Sequence, residues 1–211
     1  MHASFRVIRL LEDRLVASDF VLDCVIDILP TSNTSEAKDR IKAMRLWLDE
    51  YLDGSIAFGA NTEVNTETLE AISNSVIMCP DDPHDYLMLL LIHSKLDAIA
   101  GDAMVISKTN MISDTGEGFS NSVEGTAEEW LPSMSEWMGP KSYHDKPWWS
   151  RSDSSTMDMK YDDGEDITKI PELGIDLVGA VRSTRSDTNE QRPVADIVKP
   201  SFKPRVLTPD D

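Results

Sequence analysis

The sequence has few of the residues on which catalytic signatures are built. Of its 211 residues only two are cysteine and four are histidine. Two cysteines make neither a disulfide framework nor a zinc site by themselves. Cys24 and Cys79 sit in apolar surroundings, VLDCVID and VIMCPDD, and read as buried thiols in a reducing compartment. There is no phosphate loop, no GxGxxG and no CxxC, which argues against phosphate cradles and thioredoxin-like redox chemistry. GFSNS is not a nucleophile elbow, because Ser122 stands where the second glycine belongs. No apolar run approaches the roughly 18 residues of a membrane span, so no membrane partner is expected. The N-terminus, MHASFRVIRLLEDRL, meets a charge every few residues and lacks the apolar core of a signal peptide. The expected location is cytoplasmic.

Positive charge is also scarce. Twenty Lys and Arg face 38 Asp and Glu, for a net charge of −18. The deficit is uneven: residues 1–101 carry −9, residues 102–166 carry −9, and residues 167–211 are neutral. Phosphate contacts need Lys and Arg, so nucleic acid is not an expected partner. A basic protein surface is compatible with this charge, and an acidic inhibitor occupying a basic, nucleic-acid-binding site on another protein is one alternative reading.

Along the chain, Ile8, Leu11, Leu15, Leu22, Ile26 and Leu29 recur at spacings of three, four and seven, which predicts helix over residues 1–29. Pro30 and TSNTS end it. Asn33 and Glu36 have capping-box spacing ahead of the stripe Ile41, Met44, Leu48 and Leu52, with Gly54 as a stop. SIAFGAN reads as a short strand or loop, and residues 65–74 as a short helix. CPDDPHDYLMLLLIHSKLDAIAG is the clearest helix, with Asp82 at the N-cap, Pro83 at N1 and Asp85 at N3. Residues 103–125 suggest a β-hairpin. Residues 150–166 read as an acidic surface loop, and residues 167–181 as a possible added strand. The expected fold is α+β: a helix-dominated N-terminal body with a small β element, then a long irregular, Pro-rich C-terminal arm. The expected organisation is a body over 1–125, an aromatic- and acid-rich arm packing on it over 126–182, and an extended tail over 183–211.

No constellation defines a catalytic or metal site. His84-Asp85 is already explained as a helix start, and His93, nine residues on, lies nearly opposite His84 in helical phase. His144-Asp145 has no evident nucleophile beside it. The acidic run Asp158, Asp162, Asp163, Glu165 and Asp166 fails the EF-hand pattern, because setting Gly164 at the sixth position puts Met159 first and Ile170 twelfth. Catalytic residues, metal ligands and cofactors are therefore expected to be none. A metal-dependent hydrolase using His84, Asp85, His93 or His144 is the second alternative.

What the chain does hold is concentrated aromatic surface. Residues 130–149, WLPSMSEWMGPKSYHDKPWW, contain four of the five tryptophans, one tyrosine and three prolines. Each large ring offers roughly 150–250 Å² to bury, and such rings are enriched at binding hot spots. They must lie against either the protein's own core or a partner. The tail adds KPSFKPRVLTPDD, in which Phe202 lies among Pro200, Pro204, Lys199, Lys203 and Arg205. The expected role is a non-enzymatic protein–protein interaction or assembly component. Its partner is protein, self or other, and its contact residues are Trp137, Tyr143, Trp148, Trp149, Phe202, Lys203 and Arg205.

Overall fold

The computed structural model describes residues 1–64, 68–69, 72–73, 75–116, 118–162, 164 and 174–186. Strand β1 (His2–Leu11) and strand β2 (Arg14–Ile28) form a long antiparallel hairpin. Helix α1 (Thr34–Trp47) follows and runs into a π-helical turn, Leu48–Leu52. Strands β3 (Ser55–Gly59) and β4 (Val76–Cys79) lead to helix α2 (Asp85–Ala100). Strands β5 (Met104–Ser113) and β6 (Ser120–Glu124) make a second hairpin, within residues 103–125. A one-turn helix α3 (Met134–Trp137) and helix α4 (Leu177–Ser186) complete the described elements. The strands form a single mixed sheet in the order β4-β3-β1-β2-β5-β6.

This corrects the helix-dominated body. The core is a six-stranded sheet, and residues 1–28 are its longest hairpin instead of a helix. The side chains follow a period of two. Phe5, Val7 and Arg9 on β1 and Phe20, Leu22 and Cys24 on β2 are buried, while Ser4, Arg6, Asp19, Val21 and Asp23 face out. The apparent helical stripe mixes the two faces: Leu22 is fully buried and Leu15 is 59% exposed. The strands reverse at Glu12 and Asp13, with φ of 48° and 62°. Two successive left-handed residues are what a type I′ hairpin turn requires, and Glu-Asp is not the Asn-Gly pair that usually announces one.

Helices α1, α2 and α4 bury their apolar faces on the inward side of the sheet, in one cluster with Phe5, Val7, Phe20, Leu22, Ala57 and Ile77. All five residues of β3 are buried. Its other face meets a smaller cluster of Ile56, Phe58, Leu69 and Val76. Arg9 is the one charge on the inward face of β1. It donates to Ser18 Oγ, Thr115 Oγ1, the Pro83 carbonyl and Asp85 Oδ1, and so ties the first hairpin to the start of α2. Asp85 Oδ2 accepts from Ser113 Oγ at 2.5 Å. These bonds hold Pro83 and His84 out of the helix, which begins at Asp85 with His84 as N-cap, two residues later than the sequence suggests.

Asn33 does cap α1, accepting from the Ser35 amide at 2.9 Å. Asn33→Ala is expected to lower stability by about 1 kcal/mol, with Asn33→Asp near wild type, as read by urea denaturation. The short helix expected over 65–74 lies largely outside the described residues. Of the strand expected over 167–181, residues 167–173 lie outside the described residues, and from Leu177 the chain is helical in α4, held to α1 by Arg182 and Asp39 at 3.7 Å. Among the described residues no helix is long and apolar enough to cross a membrane.

Candidate functional site

Residues 126–162 leave the sheet at β6 and return across α2 to β4. Their path is fixed by rings. Trp148 and Trp149 are each only 1% exposed and belong to the main core cluster. Trp148 stacks on Trp47 of α1 at 6.4 Å between centroids, and Trp149 meets it edge-on at 5.6 Å. Trp137 packs against Trp149 at 5.2 Å, and Tyr143 tilts against Tyr161 at 5.4 Å. Two of the indole N–H groups are anchored: Trp148 Nε1 donates to the Met78 carbonyl and Trp137 Nε1 to Asp158 Oδ2, whereas the buried Trp47 Nε1 has no hydrogen-bond partner among the described residues. Further on, the Met78 amide donates to the Thr156 carbonyl, and Thr156 Oγ1 donates to the Val76 carbonyl. The segment thereby covers the outer edge of β4, which would otherwise offer unpaired backbone groups.

Beneath the rings lies a charged cluster. Asp158, buried, accepts from Trp137 Nε1, the Trp148 amide and Arg151 Nη1, the last at 2.7 Å. Arg151 also lies 3.6 Å from Asp153. Lys95 rises from the middle of α2 with its side chain fully buried. Its ammonium donates to the Trp148 carbonyl at 2.9 Å, reaches Asp153 at 3.4 Å and sits 5.8 Å from the centre of the Trp148 ring. Burial pulls the Lys95 ammonium down to about 7, against the attraction of Asp153. Burial alone would push the Asp153 carboxyl up. The Ser155 hydroxyl and amide, Lys95 and Arg151 together outweigh it and hold Asp153 below its ordinary value. Burial likewise lowers His144, with Arg151 adding to the effect.

On the outer side of this packing is a groove of about 530 Å³. Its apolar lining includes Leu131, Met134, Pro147 and Trp149, and its charged lining is Glu128, Glu136, Asp145 and Lys146. A second groove of about 390 Å³ shares Ser133, Met134 and Asp145 with it and adds Ser135, Ser142 and His144. Glu136 is held in place by a capping box, accepting from the Ser133 amide and hydroxyl, and these bonds keep its carboxyl below the ordinary value. Between Glu128 and Leu131, Trp130 is 68% exposed.

No family model matches this chain, and no curated protein matches it in sequence. The site therefore rests on its own geometry.

Of the sequence-derived contact residues, Trp148 and Trp149 are core residues and offer almost no surface, because their rings complete the packing between α1, α2 and β4. Trp137 is half-buried against Trp149, and Tyr143 is half-buried beside Tyr161. Phe202, Lys203 and Arg205 lie outside the described residues. Sequence reasoning passed over Trp130, the exposed ring of the segment, and the carboxylates that flank Trp149 in the groove. His93 uses both ring nitrogens, Nε2 on the Gly125 carbonyl at 2.7 Å and Nδ1 on Thr109 Oγ1 at 2.8 Å. Asp85 is committed to Arg9 and Ser113. Among the described residues no group of three or more His, Cys, Asp and Glu is arranged to hold a metal ion.

Proposed function

We propose that this chain is a non-enzymatic protein–protein interaction or assembly component whose contact site is the groove over Trp149. The ligand is an extended basic peptide with an apolar anchor. The observation that carries this reading is the make-up of the groove: an apolar floor of Leu131, Met134, Pro147 and Trp149, with three carboxylates against one lysine around it. An anchor ring fills the floor, and flanking Lys or Arg side chains meet Glu128, Glu136 and Asp145. Trp130, exposed and next in sequence to the groove-lining Leu131, supplies a second aromatic surface of the kind enriched at binding hot spots.

The test uses a fluorescein-labelled peptide of Lys, Pro and Phe residues and fluorescence anisotropy on the full chain. Reversing Glu128 and Asp145 to Lys is expected to raise Kd by about tenfold or more, and Trp130→Ala by about tenfold, the scale of one lost hot-spot contact. Glu136 is left alone because it caps α3. Binding should also weaken from 50 to 300 mM salt, since the carboxylates at the rim are screened. A Kd unmoved by the charge reversals would remove the groove from the reading.

A further inference from the structure

The groove carries three carboxylates against one lysine and so favours positive charge, which the C-terminal part of this acidic chain supplies. Residues 199–205, KPSFKPR, hold Lys199, Lys203 and Arg205 with no acidic residue among them. They carry one aromatic ring, Phe202, between Pro200 and Pro204. Proline fixes φ near −65° and lacks an N–H, so such a segment loses less entropy on docking in an extended form. We propose that residues 199–205 of the same molecule occupy the groove, Phe202 over the apolar floor and the three cations against Glu128, Glu136 and Asp145. This rests on the groove being the contact site. It adds that the chain carries its own competing ligand, so an outside partner must displace it.

Reach and concentration favour the same molecule over a second copy. α4 ends at Ser186, and residues 187–198 separate it from the segment. A dozen residues span up to ~40 Å when extended. A compact chain of this size has a radius of gyration of about 17 Å, so such a tether can cross much of the molecule. A tether of this length holds its ligand at an effective concentration of the order of millimolar. A second copy at micromolar concentration competes poorly with that.

The experiment compares two full-length proteins, the wild type and one carrying Phe202→Ala, Lys203→Ala and Arg205→Ala together. The probe is a labelled synthetic peptide with the sequence of residues 197–207. The triple variant is expected to bind the probe with a Kd lower by about tenfold or more, because the tethered competitor has gone. Adding Asp145→Lys to the triple variant should abolish most of that gain. Equal Kd values for wild type and triple variant would overturn self-docking while leaving the groove as a site for basic peptides. No binding by either protein would overturn both. A wild-type dimer in light scattering that dissociates in the triple variant would assign the segment to a second copy, and would also overturn docking within one molecule.

Discussion

Asp158→Ala is expected to lower the unfolding free energy by about 3–5 kcal/mol, the scale of removing one partner from a buried ion pair. The carboxylate does three things at once. It neutralises Arg151 at 2.7 Å, and it takes hydrogen bonds from the Trp137 indole and the Trp148 amide. Alanine strands the Trp137 indole and Trp148 amide donors, each at its full desolvation cost, and leaves Arg151 to Asp153, Ser155 and the Lys146 and Met157 carbonyls. Asp158→Asn keeps one oxygen acceptor and should fall between wild type and alanine. Guanidinium denaturation followed by tryptophan emission measures both, since Trp137, Trp148 and Trp149 all surround the site. If Asp158→Ala loses less than about 1 kcal/mol, ring burial alone holds the segment and the charged cluster is incidental.

The same residue links stability to the groove. Trp149 lines the groove outside and packs on Trp137 and Trp148 inside. Trp137 is in turn fixed through its indole N–H to Asp158. A rigid floor reduces the ordering cost of binding an extended peptide. The proposed function therefore needs the buried rings as support, with recognition delegated to Trp130 and the carboxylates.

How much of this was legible depends on which period the eye selects. The α2 run was readable because its apolar residues extend over sixteen residues and the sheet and core cover nearly all sides of it. The first hairpin was not, because Leu10, Leu11 and Leu15 gather around a turn made of Glu12 and Asp13. Those leucines add helix-like spacings to strands that alternate cleanly elsewhere, as in Phe5-Arg6-Val7 and Phe20-Val21-Leu22. The sheet order was beyond reach, since β1 pairs with β3 across α1 and no local signal encodes that parallel contact. The aromatic segment stood out in the sequence as ring area that must lie against either the core or a partner. Its Trp-Trp pair lies inside, because hydrophobic weight marks core and interface alike; only the fold separates Trp148 and Trp149 from the exposed Trp130. Lys95 did leave a trace. It stands four residues from both Leu91 and Ile99, so a helix that buries those two also buries the lysine.

Lys95 sets the second large expectation, a stability that rises with pH where most proteins are flat. Its ammonium titrates near 7 in the folded chain, against 10.5 when exposed. Below pH 7 both folded and unfolded chains hold the proton, and the burial penalty is constant. Between 7 and 10.5 the unfolded chain binds more protons than the folded one, so stability climbs as pH rises and is lost as pH falls back through 7. The gain from pH 7 to 9 is about 2 kcal/mol for one such group. The buried thiols of Cys24 and Cys79, both pushed up by burial, act in the opposite sense above about pH 8.5. The comparison with Lys95→Met removes their contribution, because both proteins contain them. Urea denaturation at half-unit steps should show the wild type gaining on Lys95→Met as pH rises from 7 to 9. Tryptophan emission should change through pH 7 in the wild type alone, since the ammonium lies over the Trp148 ring. Parallel stability curves would mean that the amine stays charged in its site, paired to Asp153 strongly enough to offset burial.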